Sequence, residues 1–246
     1  MMKSIYLFLF MAFVAFSCEN DLGIEPSVET FLPKIALKGA PSVQLPCGSS
    51  SYTDPGVDAT ENGAPANVTI TTTGRYTEGT SISLPDVYDI SYVAINKDGI
   101  PGAVVRTVTI PPCNGDLVNS IEGTYTSTIV RTSAAGAVLT APQYTNMKFV
   151  YIRKSGANEY VISDALAGWY EFGRSLGPTY AAPGHKITAT NIAANQFTFG
   201  PAVEVRSFGG DAQIVSFEVN PDTKQIKIKT DWTSGFTFAI TLTQVN

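Results

Sequence analysis

The sequence predicts an all-β protein of two domains, a β-sandwich followed by an antiparallel, barrel-like sheet. Three observations carry this. Short runs rich in Val, Ile, Thr, Tyr and Phe recur along the chain, bounded by Gly, Pro, Asn and Asp. No segment of ten residues or more shows helical periodicity. The strand pattern changes character across "PPCNGD", Pro111 to Asp116, which reads as a hinge.

The chain opens on a segment outside the fold. Lys3 precedes the apolar run "IYLFLFMAFVAF", which is shorter than the ~20 residues a spanning helix needs, so residues 1–17 read as a signal peptide. "AFSC" follows and resembles a bacterial lipobox, although that pattern prefers Leu at Ala15 and a small residue at Phe16. The resemblance implies cleavage before Cys18 and acylation of its thiol. The alternative is an ordinary secretory peptide that leaves Cys18 as a spare thiol. "ENDLG" after the cysteine is similar to the acidic signal that sends Bacteroidota lipoproteins to the outer face of the outer membrane. Residues 18–32 then form a tether, and the membrane is a partner through the lipid anchor.

Without Lys3 the mature chain carries 15 Lys+Arg against 21 Asp+Glu, a net charge of −6. There is no basic stripe, which disfavours nucleic acid as a partner. The two further cysteines, Cys47 and Cys113, suit one disulfide in an exported chain. It would close a loop worth roughly 4 kcal/mol of chain entropy. Two unrelated buried thiols are the alternative.

Residues 33–113 form the first domain. Its candidate strands are "KIALKG", "PSVQLP", "NVTITTT", "VYDISYVAIN" and "AVVRTVTI". In "VYDISYVAIN", Tyr88, Ile90, Tyr92 and Ala94 share one face. "TDPG" at Thr53–Gly56 and "NKDG" at Asn96–Gly99 are turns. Five to seven strands in about 80 residues indicate a sandwich. "YTDPGVDA", "VYDISYVAINKDG" and "RTVTI" resemble bacterial immunoglobulin-like domains related to hyalin repeats. That resemblance implies a spacer or adhesion unit with an early strand parallel to the last one, placing Cys47 beside Cys113. Asp54 and Asp58 could be calcium ligands, but a turn cap at Asp54 accounts for the pattern without a metal.

Residues 117–246 form the second domain, with eight to ten candidate strands from "IEGTYTSTIVR" to "FTFAITLTQV". In "QIKIKTDW", Ile226, Ile228, Thr230 and Trp232 oppose Gln225, Lys227, Lys229 and Asp231. Such one-faced strands fit a meandering barrel or a curled sandwich, and "GWYEF" reads as one of them. "IEGTYTST" resembles the first strand of lipocalin-like barrels. The whole run is similar to the C-terminal domain of Bacteroidota outer-membrane lipoproteins that accompany glycan-uptake systems, a family without an assigned chemistry.

The sequence offers no enzyme motif: no P-loop, dinucleotide fingerprint, HExxH or GxSxG. The single histidine, His185, sits in "PGHK" and reads as an exposed residue without a role. Asp164 and Glu171 are a weak glycosidase pair. No cofactor or metal is expected. The segment "DALAGWYEFGRSLGPTYAAPG", Asp164 to Gly184, carries two open readings. Trp169, Tyr170, Phe172 and Tyr180 could stack on a sugar, with Arg174, Glu171 and Asp164 as hydrogen-bonding groups. Equally, Trp169 could be core and the segment the cover of a barrel mouth. Trp232 reads as core. The expected function is a non-catalytic, lipid-anchored, surface-exposed outer-membrane protein binding a polysaccharide for an outer-membrane uptake complex; the alternative is a protein-interaction or adhesion module without a sugar site.

Overall fold

The computed structural model describes residues 29–245. The signal peptide, Cys18 and most of the tether lie outside the described residues.

The first domain contains β1 (Lys34–Leu37), β2 (Ser42–Gln44), β3 (Val57–Glu61), β4 (Ala64–Pro65), β5 (Thr69–Gly74), β6 (Asp86–Ile95) and β7 (Pro101–Ile110). They form a three-stranded sheet, β1-β3-β4, facing a four-stranded sheet, β2-β7-β6-β5. β2 runs parallel to β7, with Val43 opposite Val108. Alternation along β6 sets the core, because a strand's side chains point to opposite faces with a period of two. Tyr88, Ile90 and Tyr92 pack with Val108 and Ile110 of β7, and Ile35, Leu37 and Val57 cover them from the other sheet.

One inward position of β7 is polar. Arg106 is fully buried and pairs with Asp54. It also donates to the carbonyl oxygens of Lys38 (2.6 Å) and Gly56 (3.3 Å). Asp54 accepts from Gly56 N and the Tyr92 hydroxyl as well. The other acid of the "TDPGVDA" run, Asp58, pairs with Lys38 at 2.8 Å. Both carboxylates are therefore engaged with cations of the chain itself. Cys47 and Cys113 are joined by a disulfide with Cα atoms 5.0 Å apart, tying the end of β2 to the exit of β7.

The second domain contains β8 (Gly123–Ser133), β9 (Val138–Leu139), β10 (Met147–Lys154), β11 (Glu159–Ile162), β12 (Lys186–Asn191), β13 (Gln196–Phe199), β14 (Val203–Glu204), β15 (Asp211–Asn220), β16 (Gln225–Trp232) and β17 (Phe236–Gln244). They make one antiparallel sheet in the order β13-β12-β11-β10-β8-β17-β16-β15-β14, with β9 on β8. The sheet curls into a half-barrel whose two sides are not joined by a strand pair. Side chains bridge the gap instead. The amide of Ile214 in β15 donates to Nε2 of His185 at 3.3 Å. Asn195 accepts from Val219 N at 2.6 Å and donates to Val219 O at 3.3 Å.

Two sequence expectations are corrected here. His185 is not exposed but fully buried. Its Nδ1 lies 3.1 Å from the carbonyl of Lys186 while Nε2 takes the Ile214 N–H. Burial pushes its pKa down, so it is a neutral imidazole closing the seam. "GWYEF" is not a strand. Trp169–Gly173 forms a π-helical turn entered through Gly168 at φ 85°. The backbone cannot continue extended through this left-handed position, which favours glycine. A Cβ at Gly168 would also lie 2.6 Å from the Phe172 ring.

Candidate functional site

The segment Asp164–Gly184 fills the concave side of the half-barrel. Asp164 organises it. Its buried carboxylate accepts hydrogen bonds from the amides of Leu166 (2.9 Å), Gly168 (2.7 Å) and Ala182 (2.8 Å). The sheet holds the segment from below: Ser127 of β8 donates to Ala167 O at 2.7 Å, and Thr230 of β16 to Ala165 O at 2.8 Å. These bonds explain why two polar residues occupy inward positions of apolar strand faces.

Trp169 is fully buried. It stacks on Tyr144 with ring centroids 3.6 Å apart and meets Phe238 edge-on at 5.7 Å. The Arg131 guanidinium lies over Trp169 and Phe236, 5.3 and 4.3 Å from the ring centroids. Tyr170 is buried against Trp232 and Phe238. Tyr180 is half-buried beside Phe208, and Arg174 is exposed, donating to the Tyr144 hydroxyl at 3.2 Å. These residues do not form one open ledge. Trp169 presents no face to solvent, so the segment is built as the filling of the half-barrel. Asp164 is bound up with backbone amides, and among the described residues no three His, Cys, Asp or Glu converge on a metal position.

Glu171 faces the other way, toward the first domain. Its carboxylate accepts from the Tyr76 hydroxyl at 2.9 Å and pairs with Arg75 at 3.4 Å. Arg206 adds to the same seam, donating to Arg75 O at 2.8 Å and pairing with Glu78 at 2.7 Å. Tyr76 packs edge-on to Tyr151 of β10. The loop after β5 is thus clamped on the second domain. These contacts join residues about a hundred positions apart in sequence, and no local motif announces them.

Burial, and secondarily the nearby charge of Asp164, raise the Glu171 carboxyl from 4.5 to about 7, against the pull of Tyr76, Arg75 and Arg206. A folded-state pKa above the unfolded value means that the folded protein holds a proton the unfolded chain releases. The resulting stabilisation is present below pH ~4.5 and lost as pH rises through ~7, with a span of up to about 3 kcal/mol. Urea unfolding at several pH values should show this fall between pH 5 and 8, set against the opposite contribution of buried His185, whose lowered pKa favours the folded state as pH rises. Glu171→Gln should flatten that fall; an unchanged pH profile in the variant would remove Glu171 as its source.

Beside this clamp a groove runs between the domains. One depression of about 290 Å³ is lined by Gln44, Arg75, Tyr76, Lys148, Phe149, Tyr151 and Phe172, among others. A second, of about 350 Å³, continues past Gln44, Phe149 and Tyr151 to Pro112 and Asn114. A third, of about 580 Å³, opens on the other side of Lys148 and Phe172 toward Gln143 and Asn146. The register of β10 explains the lining. β10 pairs with β8 as Met147↔Ser127 and then Val150↔Tyr125, a bulge that leaves two residues opposite one. Strict alternation would carry Phe149 inward with Met147. The bulge turns both Lys148 and Phe149 outward, and Phe149 is 36% exposed.

Two family models match parts of the chain. Residues 35–110 match the family model described as "Bacterial surface protein, Ig-like domain". Residues 114–244, more than half of the chain, match a family model for a C-terminal domain. The chain belongs to that C-terminal-domain family. Among solved structures, the crystal structure of the lipoprotein BT2262 from Bacteroides thetaiotaomicron is similar, with a TM-score of 0.56 and 22% identity. The match covers 87% of this chain and 100% of that one, a likeness of fold over both domains. No curated protein matches the chain.

Proposed function

We propose that this is a non-catalytic, lipid-anchored protein of the bacterial cell envelope that binds a glycan in the groove between its domains. The observation that carries the reading is the bulge in β10, which spends strand register to expose Phe149 beside Lys148 and Phe172 at a domain junction. Ligand sites concentrate at such junctions, where an apolar wall meets a few polar groups. An aromatic face suits the apolar side of a pyranose, and Gln44, Lys148 and Asn146 offer partners for hydroxyls. The acids of the Asp164–Gly184 segment are committed to backbone amides and to the interdomain clamp, which supports a binding role without hydrolysis.

The first domain supports a spacer role. The Asn96 side chain bonds Phe31 O at 2.9 Å, so the chain enters beside the β6–β7 turn. It leaves past Ile110 at the opposite end of β7. Ten residues of strand at ~3.3 Å each separate the two points by about 30 Å.

A polysaccharide-binding screen on residues 19–246, read by calorimetry, tests the site. Phe149→Ala should weaken binding at least about tenfold while lowering the thermal midpoint only slightly, because the side chain is already more than a third exposed and leaves no closed cavity. Binding that ignores both Phe149→Ala and Phe172→Ala would put the ligand elsewhere. Absence of any glycan binding would favour the second reading, a protein-interaction module, which the burial of Trp169 supports.

A further inference from the structure

The first domain carries apolar surface that its own sandwich does not use. The β6–β7 turn is flanked by Ile95, 64% exposed, and Ile100, 41% exposed. Leu32, 60% exposed, sits where the chain enters the domain. Phe31 O is held by Asn96 in that same turn, and Pro33 lies against Gly102 at the start of β7. The surface extends along the outer face of the sheet. Ile95 pairs with Pro101, Val93 with Ala103 and Ser91 with Val105. Alternation puts these residues on the face away from the core, and Val105 is 47% exposed. Farther along the same face the pairs become Asp89 with Thr107 and Val87 with Thr109, and Thr107 donates to Asp89 at 2.8 Å. The outer face is therefore graded. Its apolar half is the one next to the point where the chain enters.

We propose that this pole, with the end of the sheet at Ile95 and Pro101, rests against the lipid surface that holds Cys18. The proposal builds on the lipid-anchor reading. The length of chain outside the structure argues for that occupant. Eleven residues run from Cys18 to Val28, and at full extension they reach at most about 40 Å. Acyl chains on Cys18 would keep the pole within that distance of the bilayer at all times, a high local concentration of lipid for a weak apolar contact. Charge argues for the kind of contact. Lys97 and Asp98 in the turn balance each other, and the Lys97 amide is taken by Glu61 at 3.2 Å. The surface attracts through exposed aliphatic side chains, as interfacial anchors do, and not through a polybasic patch. Its contact consequently needs no anionic lipid.

A tethered-vesicle measurement tests this. Residues 19–246, which include every described residue, are fitted with an N-terminal hexahistidine tag and held on phosphatidylcholine vesicles by a nickel-chelating lipid. An environment-sensitive fluorophore is placed at Lys97→Cys or, as a control on β16, at Lys227→Cys. The label at position 97 is expected to shift to the blue. Spin-labelled lipid should quench it at least about twofold, while the label at 227 stays in water. Adding Ile95→Ser and Ile100→Ser should return position 97 to its value in solution with an unchanged thermal midpoint. A label at 97 that remains in water on the vesicle overturns the proposal. So does a shift that appears only as protein density rises, which would make a second copy the occupant. Palmitate labelling of Cys18 in cells tests the anchor separately, since the chelating lipid replaces it in the vesicle assay.

Discussion

Trp169→Ala should lose about 3–5 kcal/mol of stability, read as a lower urea midpoint. That is the usual range for removing a large aromatic from a core that cannot collapse. The surroundings here resist collapse. Tyr144 stacks on one face of the indole, Phe238 meets it edge-on, and Arg131 lies over it. Its removal leaves a guanidinium facing a void and takes the π-helical turn off the sheet beneath it. Trp169→Phe should cost much less. The indole Nε1 is buried without a hydrogen-bond partner, and losing an unpaired donor recovers part of its desolvation cost of about 1–3 kcal/mol. A Trp169→Ala protein that unfolds at the wild-type urea concentration yet loses a ligand would refute the core role and return the segment to a binding one.

Asp164→Ala should be comparably damaging, by about 3 kcal/mol or more, through a different mechanism. No large cavity forms. Instead the amides of Leu166, Gly168 and Ala182 lose their acceptor together, and each buried donor left unmade costs about 1–3 kcal/mol. Asp164→Asn separates this from a charge effect. One oxygen can still serve Leu166 and Ala182, but an NH₂ would face the Gly168 N–H, donor against donor. The asparagine variant should therefore fall between wild type and alanine. Hydrogen exchange should show the loss first in residues 164–184, with β16 and β17 still protected. Equal stability of the alanine variant and wild type would mean that packing and the bonds from Ser127 and Thr230 hold the segment without the carboxylate.

The sequence made the strands legible wherever one face was buried. Tyr88, Ile90 and Tyr92 against Val87 and Asp89, or Ile226 and Ile228 against Lys227 and Lys229, announce both strand and facing, because the period of two is uninterrupted. The parallel pairing of β2 with β7 and the immunoglobulin-like character of the first domain were likewise readable through resemblance. Legibility failed where a local rule was overruled from a distance. "GWYEF" alternates like a strand, yet Asp164 and the left-handed Ala167–Gly168 pair turn it into a π-helical turn. His185 looks like a loop residue until β15 arrives from the far side of the sheet. Phe149 looks like core because nothing in "MKFVYIRK" marks the bulge. The groove and the Glu171 clamp depend on two domains meeting, and pairings such as Tyr76 with Glu171 leave no trace in either segment alone.

The pairing of β8 with β17 has a consequence for biogenesis. These strands open and close the second domain, yet they lie side by side in the middle of its sheet, matched over nine residue pairs from Phe236↔Ser133 to Gln244↔Tyr125. β10, β11, β12 and β13 build outward from one, β16, β15 and β14 from the other. The centre of the sheet cannot form until its last strand is available. A chain threaded across a membrane from its N-terminus would therefore carry this domain unfolded until β17 emerges. The first domain, whose strands and disulfide are complete by Cys113, can fold while the rest is still in transit. Long-range pairing of this kind makes folding slow, so the second domain is expected to fold after the first.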